Sequence, residues 1–457
     1  MPLKTHNDQR SRGRRAASAR IQRSRGGDDS AAAPRLPRAQ WFAAVRRSAL
    51  RWFVRHGRDL PWRHSSDPYA VLVSELMLQQ TTVATVSPRW EQFLATFPTV
   101  ERLARADESE VLRAWEGLGY YRRAKQLHAA VRRIVADHGG RIPDDPATLA
   151  ELPGLGRYSA SAVLCFARGR ALPIVEANTR RLWARLLGFR AEADSPKADR
   201  LFWAAAERIV RRSRNPRQIN LALMDLGAMV CRPRRPQCDQ CPLVAHCQAW
   251  ALGLQNELPR RRAKAILQQR HEAAVVVRRG RKLLLVRYGM RGRWAGLWDF
   301  PRVPLADSPP SAETVGRQVA ELLDRLLGKR ADGRHECGGD GRMGRRIVVE
   351  RHLARWNHRV TRFQITLDCF AARWIANEDV DRSVAYSLTE GSASEDAEFD
   401  DETNGRRSEQ LSLWPPCTMA WVEREALARY AMPSTARRLA QLFVAAKEGR
   451  RSKKDPI

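Results

Sequence analysis

Glu75 lies inside an otherwise apolar run, residues 69–78, where an ionised carboxylate is costly unless it is paired or kept protonated. A carboxyl group held protonated near neutral pH is what a general acid requires. A second carboxylate, Glu176, stands in IVEANTRRL just ahead of another helical stretch. There Asn178 is suited to the cap, which leaves Glu176 without an obvious structural duty. Two such acids can divide the work at a glycosidic bond, one protonating the leaving group and the other facing positive charge on the sugar. The plain alternative for Glu75 is the exposed face of an amphipathic helix.

Two further clusters have chemistry in their spacing. Cys231, Cys238, Cys241 and Cys247 follow C-x6-C-x2-C-x5-C within 17 positions. Four thiolates so close suit a soft, tetrahedrally bound metal or a four-iron, four-sulfur cluster, and zinc stays open at this point. Arg232, Arg234 and Arg235 fall inside the first spacer, so the loop reads as a scaffold that presents cations to phosphate. In LPGLGRYSASAV, Gly154 and Gly156 allow a tight hairpin between helices. With Arg157 and Ser159 beside it, the exposed amides could bind a phosphate; a plain helix–helix turn is the alternative.

The chain that must position these groups has 457 residues, 43% hydrophobic, which suggests two or three domains. Its formal charge of +31 favours polyanions, nucleic acid first among them. No apolar run of spanning length and no signal-peptide core occur, so no membrane association is expected. We expect a reducing, cytoplasmic and nucleoid-associated setting.

Residues 1–38 hold ten Lys/Arg against three acids and few large apolar groups, the composition of a disordered basic arm. Residues 39–255 carry helical spacing broken by Pro and Gly, an all-α domain. Asp67-Pro68 should start the helix that runs through YAVLVSELMLQQ. Further helices are expected over 121–138, 159–168, 179–187, 201–210 and 218–229. A charged linker at 256–270 leads to an α+β domain at 271–446, opened by a hairpin in AAVVVRRGRKLLLVRY. Surface loops are expected near 328–346 and 388–408, a closing helix after Pro433 capped by Ser434, and a basic tail at 447–457.

Taken together, LPWR, SELMLQQTTVATV, GLGYYRRAKQLHAA, LPGLGRYSASAV, VEANTRRL and NLALMDLGAMVCRPRRPQCDQCPLVAHC closely resemble the adenine DNA glycosylase (MutY) family. That family belongs to the helix-hairpin-helix glycosylase superfamily. The resemblance implies a structural 4Fe–4S cluster on the four cysteines, and double-stranded DNA with A:8-oxoguanine or A:G mispairs as partner of a monomer. It implies that Glu75 protonates adenine N7 and that Glu176, where the family carries Asp, stabilises the sugar. Ala177 stands in place of the family's Gly.

Asn178 would orient the water or Glu176 by the same resemblance. Tyr158 stands where strand-cutting relatives carry a Schiff-base Lys, which implies a monofunctional enzyme. Trp62, Arg63, Gln79, Gln80 and Tyr121 would line the base pocket or fill the stack. The C-terminal region looks like the family's Nudix-like domain without the acids of a hydrolytic Nudix box. His358, Thr361 and Arg362 fall where the family reads the lesion. Two other outcomes are a superfamily member with altered base preference, and a catalytically weak mispair-binding protein.

Overall fold

A computed structural model describes residues 36–260, 267–289, 294–306, 311–327, 346–375 and 416–451. The expected basic arm (all but its last residues), the middle of the linker, the stretches near 328–345 and 388–408, and the tail beyond Arg451 lie outside them.

Residues 39–251 are helical, with no strand among the elements described there. The Pro68–Leu78 helix starts because the Asp67 side chain accepts the Tyr69 and Ala70 amides while Pro68 presets the first turn. Its residues from Tyr69 to Met77 are buried, so it runs through the middle of the domain. It packs mainly on the Arg157–Arg168 helix, whose residues 159–166 are buried in turn. The helix stops at Leu78, two residues short of the expected end, because Gln80 turns into the left-handed region at φ +58°.

The segment expected as one helix over 218–229 is divided. An α-helix spans Pro216–Asp225, and a π-helical turn over Leu226–Val230 delivers Cys231. The widened turn fits a tight packing point. A Cβ on Gly227 would stand 2.8 Å from the Asn178 carbonyl oxygen, at the start of the Ala177–Leu186 helix.

The C-terminal part is one mixed sheet of seven strands: β1 (Gln268–Arg279), β2 (Lys282–Tyr288), β3 (Trp298–Asp299), β4 (Arg302–Leu305), β5 (Arg346–Val360), β6 (Phe363–Ile375) and β7 (Pro416–Glu423). The main order is β3-β2-β1-β6-β5, with β4 on β1 and β7 on β2. Strands β1 and β6 run parallel and the other pairs antiparallel. Alternate side chains feed two cores, as strand geometry requires. Ala273, Val275 and Val277 meet the Ala312–Leu327 helix through Val315, Val319 and Leu323. Ala274 and Val276 face the Ser434–Arg451 helix through Ala436, Leu439 and Phe443.

The two parts touch through specific groups. Arg437 pairs both nitrogens of its fork with Glu116, at 2.5 and 2.9 Å, and the Tyr121 hydroxyl donates to the Met432 carbonyl at 2.8 Å. Leu297 and Ala431 bury themselves in the helical core. No helix among the described residues is long and apolar enough to cross a membrane.

Candidate active site

Glu75 and Glu176 face one cavity of about 180 Å³, walled by Trp62, Leu78, Thr81, Tyr158, Phe166, Asn178 and Met224 together with Arg58, Arg63 and Arg217. Glu75 is only 3% exposed. Burial drives its pKa up to about 7; the Glu176 charge pushes the same way, while the Tyr158 hydrogen bond and Arg63 oppose it. The Tyr158 hydroxyl donates to Glu75 Oε2 at 2.6 Å. That bond occupies one carboxyl oxygen and leaves the other to carry a proton into the cavity. Tyr158 itself titrates far above its ordinary value, from burial first and the Glu75 charge second, so it remains a donor.

Glu176 has a structural duty after all, and Asn178 does not cap this helix. Glu176 is the N-cap of Ala177–Leu186, its Oε2 and Oε1 accepting the Asn178 and Thr179 amides at 2.7 and 2.9 Å. Thr179 Oγ1 accepts the Glu176 amide in return at 2.8 Å, closing a capping box. Glutamate is not a favoured N-cap residue, which is why sequence favoured its neighbour. Burial raises the Glu176 pKa; the two amides and the Arg181 and Arg58 charges counter it. Asn178 lies at the second helical position, its Oδ1 accepting from Arg181 Nη2 at 2.8 Å.

Behind Arg58 and Arg63 lies a carboxylate that sequence reading missed. Asp225 is fully buried and receives Arg63 through both nitrogens of its fork, at 2.9 and 2.8 Å, and Arg58 through its amide and Nε, at 2.9 and 2.7 Å. Burial alone would raise its pKa, but Arg63 and then Arg58 overcome it and hold the group ionised. Arg217 donates to the Arg63 carbonyl, so Arg63 is held from both ends.

The remaining expected residues divide. Trp62 and Arg63 are on the cavity wall. Gln79 is half-buried and donates to Ser159 Oγ at 3.4 Å, while Gln80 is exposed. Tyr121 is a correction. It is buried elsewhere with its hydroxyl on Met432, and so faces the C-terminal part rather than the cavity. Ser159 is a second correction: at 3% exposure it belongs to the packed face of its helix and presents no hydroxyl to an outside phosphate.

Gly154, at φ +76°, makes the turn that glycine alone adopts cheaply, with Gln126 Cβ at 2.6 Å from where its own Cβ would be. Gly156 is the exposed N-cap of Arg157–Arg168, and Arg157 lies over the Trp203 ring at 3.9 Å. Arg232, Arg234 and Arg235 are exposed.

Cys231, Cys238, Cys241 and Cys247 line a single small pocket with Leu182, Arg185 and Val244. Arg185 Nη1 stands 3.2 Å from Cys231 Sγ, and its other contacts include the Arg232, Pro233 and Leu258 carbonyls. Burial raises the Cys238, Cys241 and Cys247 thiols, and the neighbouring cysteines add to it. No group of three or more His, Cys, Asp or Glu among the described residues is arranged to hold a metal ion.

In the sheet, β5 and β6 are joined by a two-residue turn, Thr361 and Arg362, with Val360 opposite Phe363. Thr361 takes φ +51° and is exposed, its hydroxyl donating to the Val360 carbonyl at 2.8 Å. Arg362 and Arg270 lie over the Phe363 ring at 5.1 and 3.8 Å, and His358 is half-buried one pair further down the strand from Arg359.

Comparison with known proteins gives the same direction. Residues 73–208 match the family model of the HhH-GPD superfamily base excision DNA repair protein. An adenine DNA glycosylase of Mycobacterium tuberculosis is 36% identical over 297 residues, covering 64% of this chain and 93% of that protein. Its counterpart in Mycolicibacterium smegmatis is 36% identical over 297 residues, 65% of this chain and 97% of its own. The human adenine DNA glycosylase is 33% identical over 340 residues, and the chain spans 61% of its length. A solved thermostable thymine-DNA glycosylase covers 47% of this chain and 98% of its own at 30% identity and TM-score 0.44. Homologous over nearly the full length of the mycobacterial proteins, the chain belongs to the adenine DNA glycosylase family and is a hydrolase of N-glycosyl bonds.

Proposed function

We propose that this enzyme removes adenine mispaired with 8-oxoguanine or guanine from duplex DNA, as a monofunctional glycosylase. The observation that carries the reading is the buried Glu75, pKa about 7, bonded on one oxygen by Tyr158 and sharing its cavity with Glu176. Adenine swung out of the duplex would enter beside Trp62, where a mispaired base costs less to extrude than a paired one. Glu75 gives its proton to adenine N7 as the C1′–N9 bond breaks, so the bonding pair leaves on a purine that departs neutral. The Glu176 carboxylate, fixed by two amides, faces the positive charge left on the sugar. Water then adds to C1′ and loses its proton to Glu176, with Asn178 beside the same space. No amine stands at Tyr158, so no Schiff base forms there and strand cutting is not expected.

The cysteine pocket suits a 4Fe–4S cluster. Four thiols from one loop line it, and burial with the neighbouring cysteines raises the Cys238, Cys241 and Cys247 thiols, a charge cost that a cationic group would offset. Such a cluster would supply structure only, holding the exposed Arg232, Arg234 and Arg235 towards phosphate. The hairpin tip at His358, Thr361 and Arg362, on a Nudix-like sheet, reads the base opposite the adenine. Action as a monomer on nucleoid DNA completes the proposal. Single-turnover release of adenine from an A:8-oxoguanine duplex, with A:T as control, tests it, together with iron content and absorption near 400 nm. Release confined to the mispair supports it. Release of another base, or tight mispair binding without release, would favour the two rival outcomes.

A further inference from the structure

We propose that Arg123 is a positioning residue for base excision: its guanidinium ties the C-terminal end of the Glu75 helix to the turn at 115–120 and so fixes the acid and its cavity wall. This rests on the excision reading above. Arg123 is 6% exposed. Its Nη1 donates to the Leu76 and Met77 carbonyls, both at 2.7 Å. Its Nη2 donates to Thr81 Oγ1 at 2.9 Å and to the Leu118 and Gly119 carbonyls at 3.0 Å. The Trp115 and Tyr120 rings flank the same group at 5.5 and 5.6 Å.

Two of these carbonyls belong to the last turn of the helix, where no backbone amide remains to satisfy them and the helix dipole is negative. One cation therefore caps the helix one residue beyond Glu75. It also bridges two turns that each hold a residue in a region non-glycine residues avoid, Gln80 at φ +58° after the helix and Tyr120 at φ +46° in the other turn. Thr81 returns a hydrogen bond to the Leu118 carbonyl at 3.2 Å, and Thr81 and Leu78 are themselves cavity wall. A planar fork serves oxygens on two segments at once; an ammonium is a point charge and does not span them.

The test uses the full chain, enzyme in excess over an A:8-oxoguanine duplex, with rates corrected for active fraction by burst titration. Arg123→Lys is expected to slow release about tenfold or more while duplex affinity changes less than about threefold. Its alkaline limb should also move to higher pH, since a loosened Glu75 loses part of the Tyr158 bond that lowers its pKa. Thr81→Val removes one acceptor of the strut without altering volume and should slow release by about threefold to tenfold, with Thr81→Ser restoring it. Should Arg123→Lys fail to fold, Thr81→Val decides. Wild-type rate per active site and an unmoved pH limb would overturn the positioning role. Wild-type enzyme that releases no adenine would overturn the excision reading, and this proposal with it.

Discussion

Two walls of one cavity bury a carboxylate each, and they treat it in opposite ways. On the Pro68–Leu78 helix, Glu75 has one neutral donor, Tyr158, among apolar side chains, and burial lifts its pKa to about 7. Behind the other wall, Asp225 is just as buried but receives the forks of Arg63 and Arg58, and is held below its ordinary 3.8. Burial is common to both, so partner charge decides which acid keeps its proton. The first wall can give a proton away near neutral pH. The second serves to hold two guanidiniums in place.

The largest expected effect falls on the first wall. Glu75→Gln should lower adenine release by about 10²–10⁴-fold while leaving mispair affinity intact, measured by single-turnover kinetics and duplex titration. Full activity in that variant would remove the acid. On the second wall, Asp225→Asn leaves two partly buried guanidiniums without their buried counter-charge and should cost about 3 kcal/mol of stability at pH 7 by urea unfolding. Because the folded pKa of Asp225 is depressed, its contribution is present above about 3.8 and is lost as pH falls through the lower folded value, so the two unfolding curves should converge in acid.

The same contrast reappears in stability, with the sign reversed for Glu75. Its folded pKa lies above the ordinary 4.5, so the wild type loses stability as pH rises from there through about 7. Glu75→Gln escapes that loss and should be more stable than wild type by about 3 kcal/mol at pH 8, with little difference near pH 4. Equal stability at both values would mean that the carboxyl is solvated. Smallest is Tyr158→Phe. Removing the one donor that lowers the Glu75 pKa should move the alkaline limb of activity up by less than about one unit, equivalent to roughly 1 kcal/mol.

What could be read from the chain, and what could not, follows the reach of the interactions. The Pro68 helix, with Glu75 embedded in it, was legible because Asp67-Pro68 and an unbroken apolar run are local signals. The β1–β2 hairpin was legible through its Arg-Gly punctuation. Asp225 was not, because its partners lie 162 and 167 positions away and MDLG reads as an ordinary helix face. Tyr121 misled for the same reason. It follows the GLGY run, whose resemblance implied the base pocket, yet its hydroxyl serves a carbonyl 311 positions on. The early stop at Leu78 was invisible too, since Arg123 satisfies the helix end from 46 residues further along the chain.

Whether Glu75 enters the reaction protonated is decided most directly by the pH dependence of single-turnover adenine release from an A:8-oxoguanine duplex. Release should be full in mild acid and fall tenfold per pH unit, with a one-proton slope, above a midpoint near 7. A rate that stays flat from pH 5 to pH 9, at constant duplex binding and active fraction, would contradict a protonated Glu75.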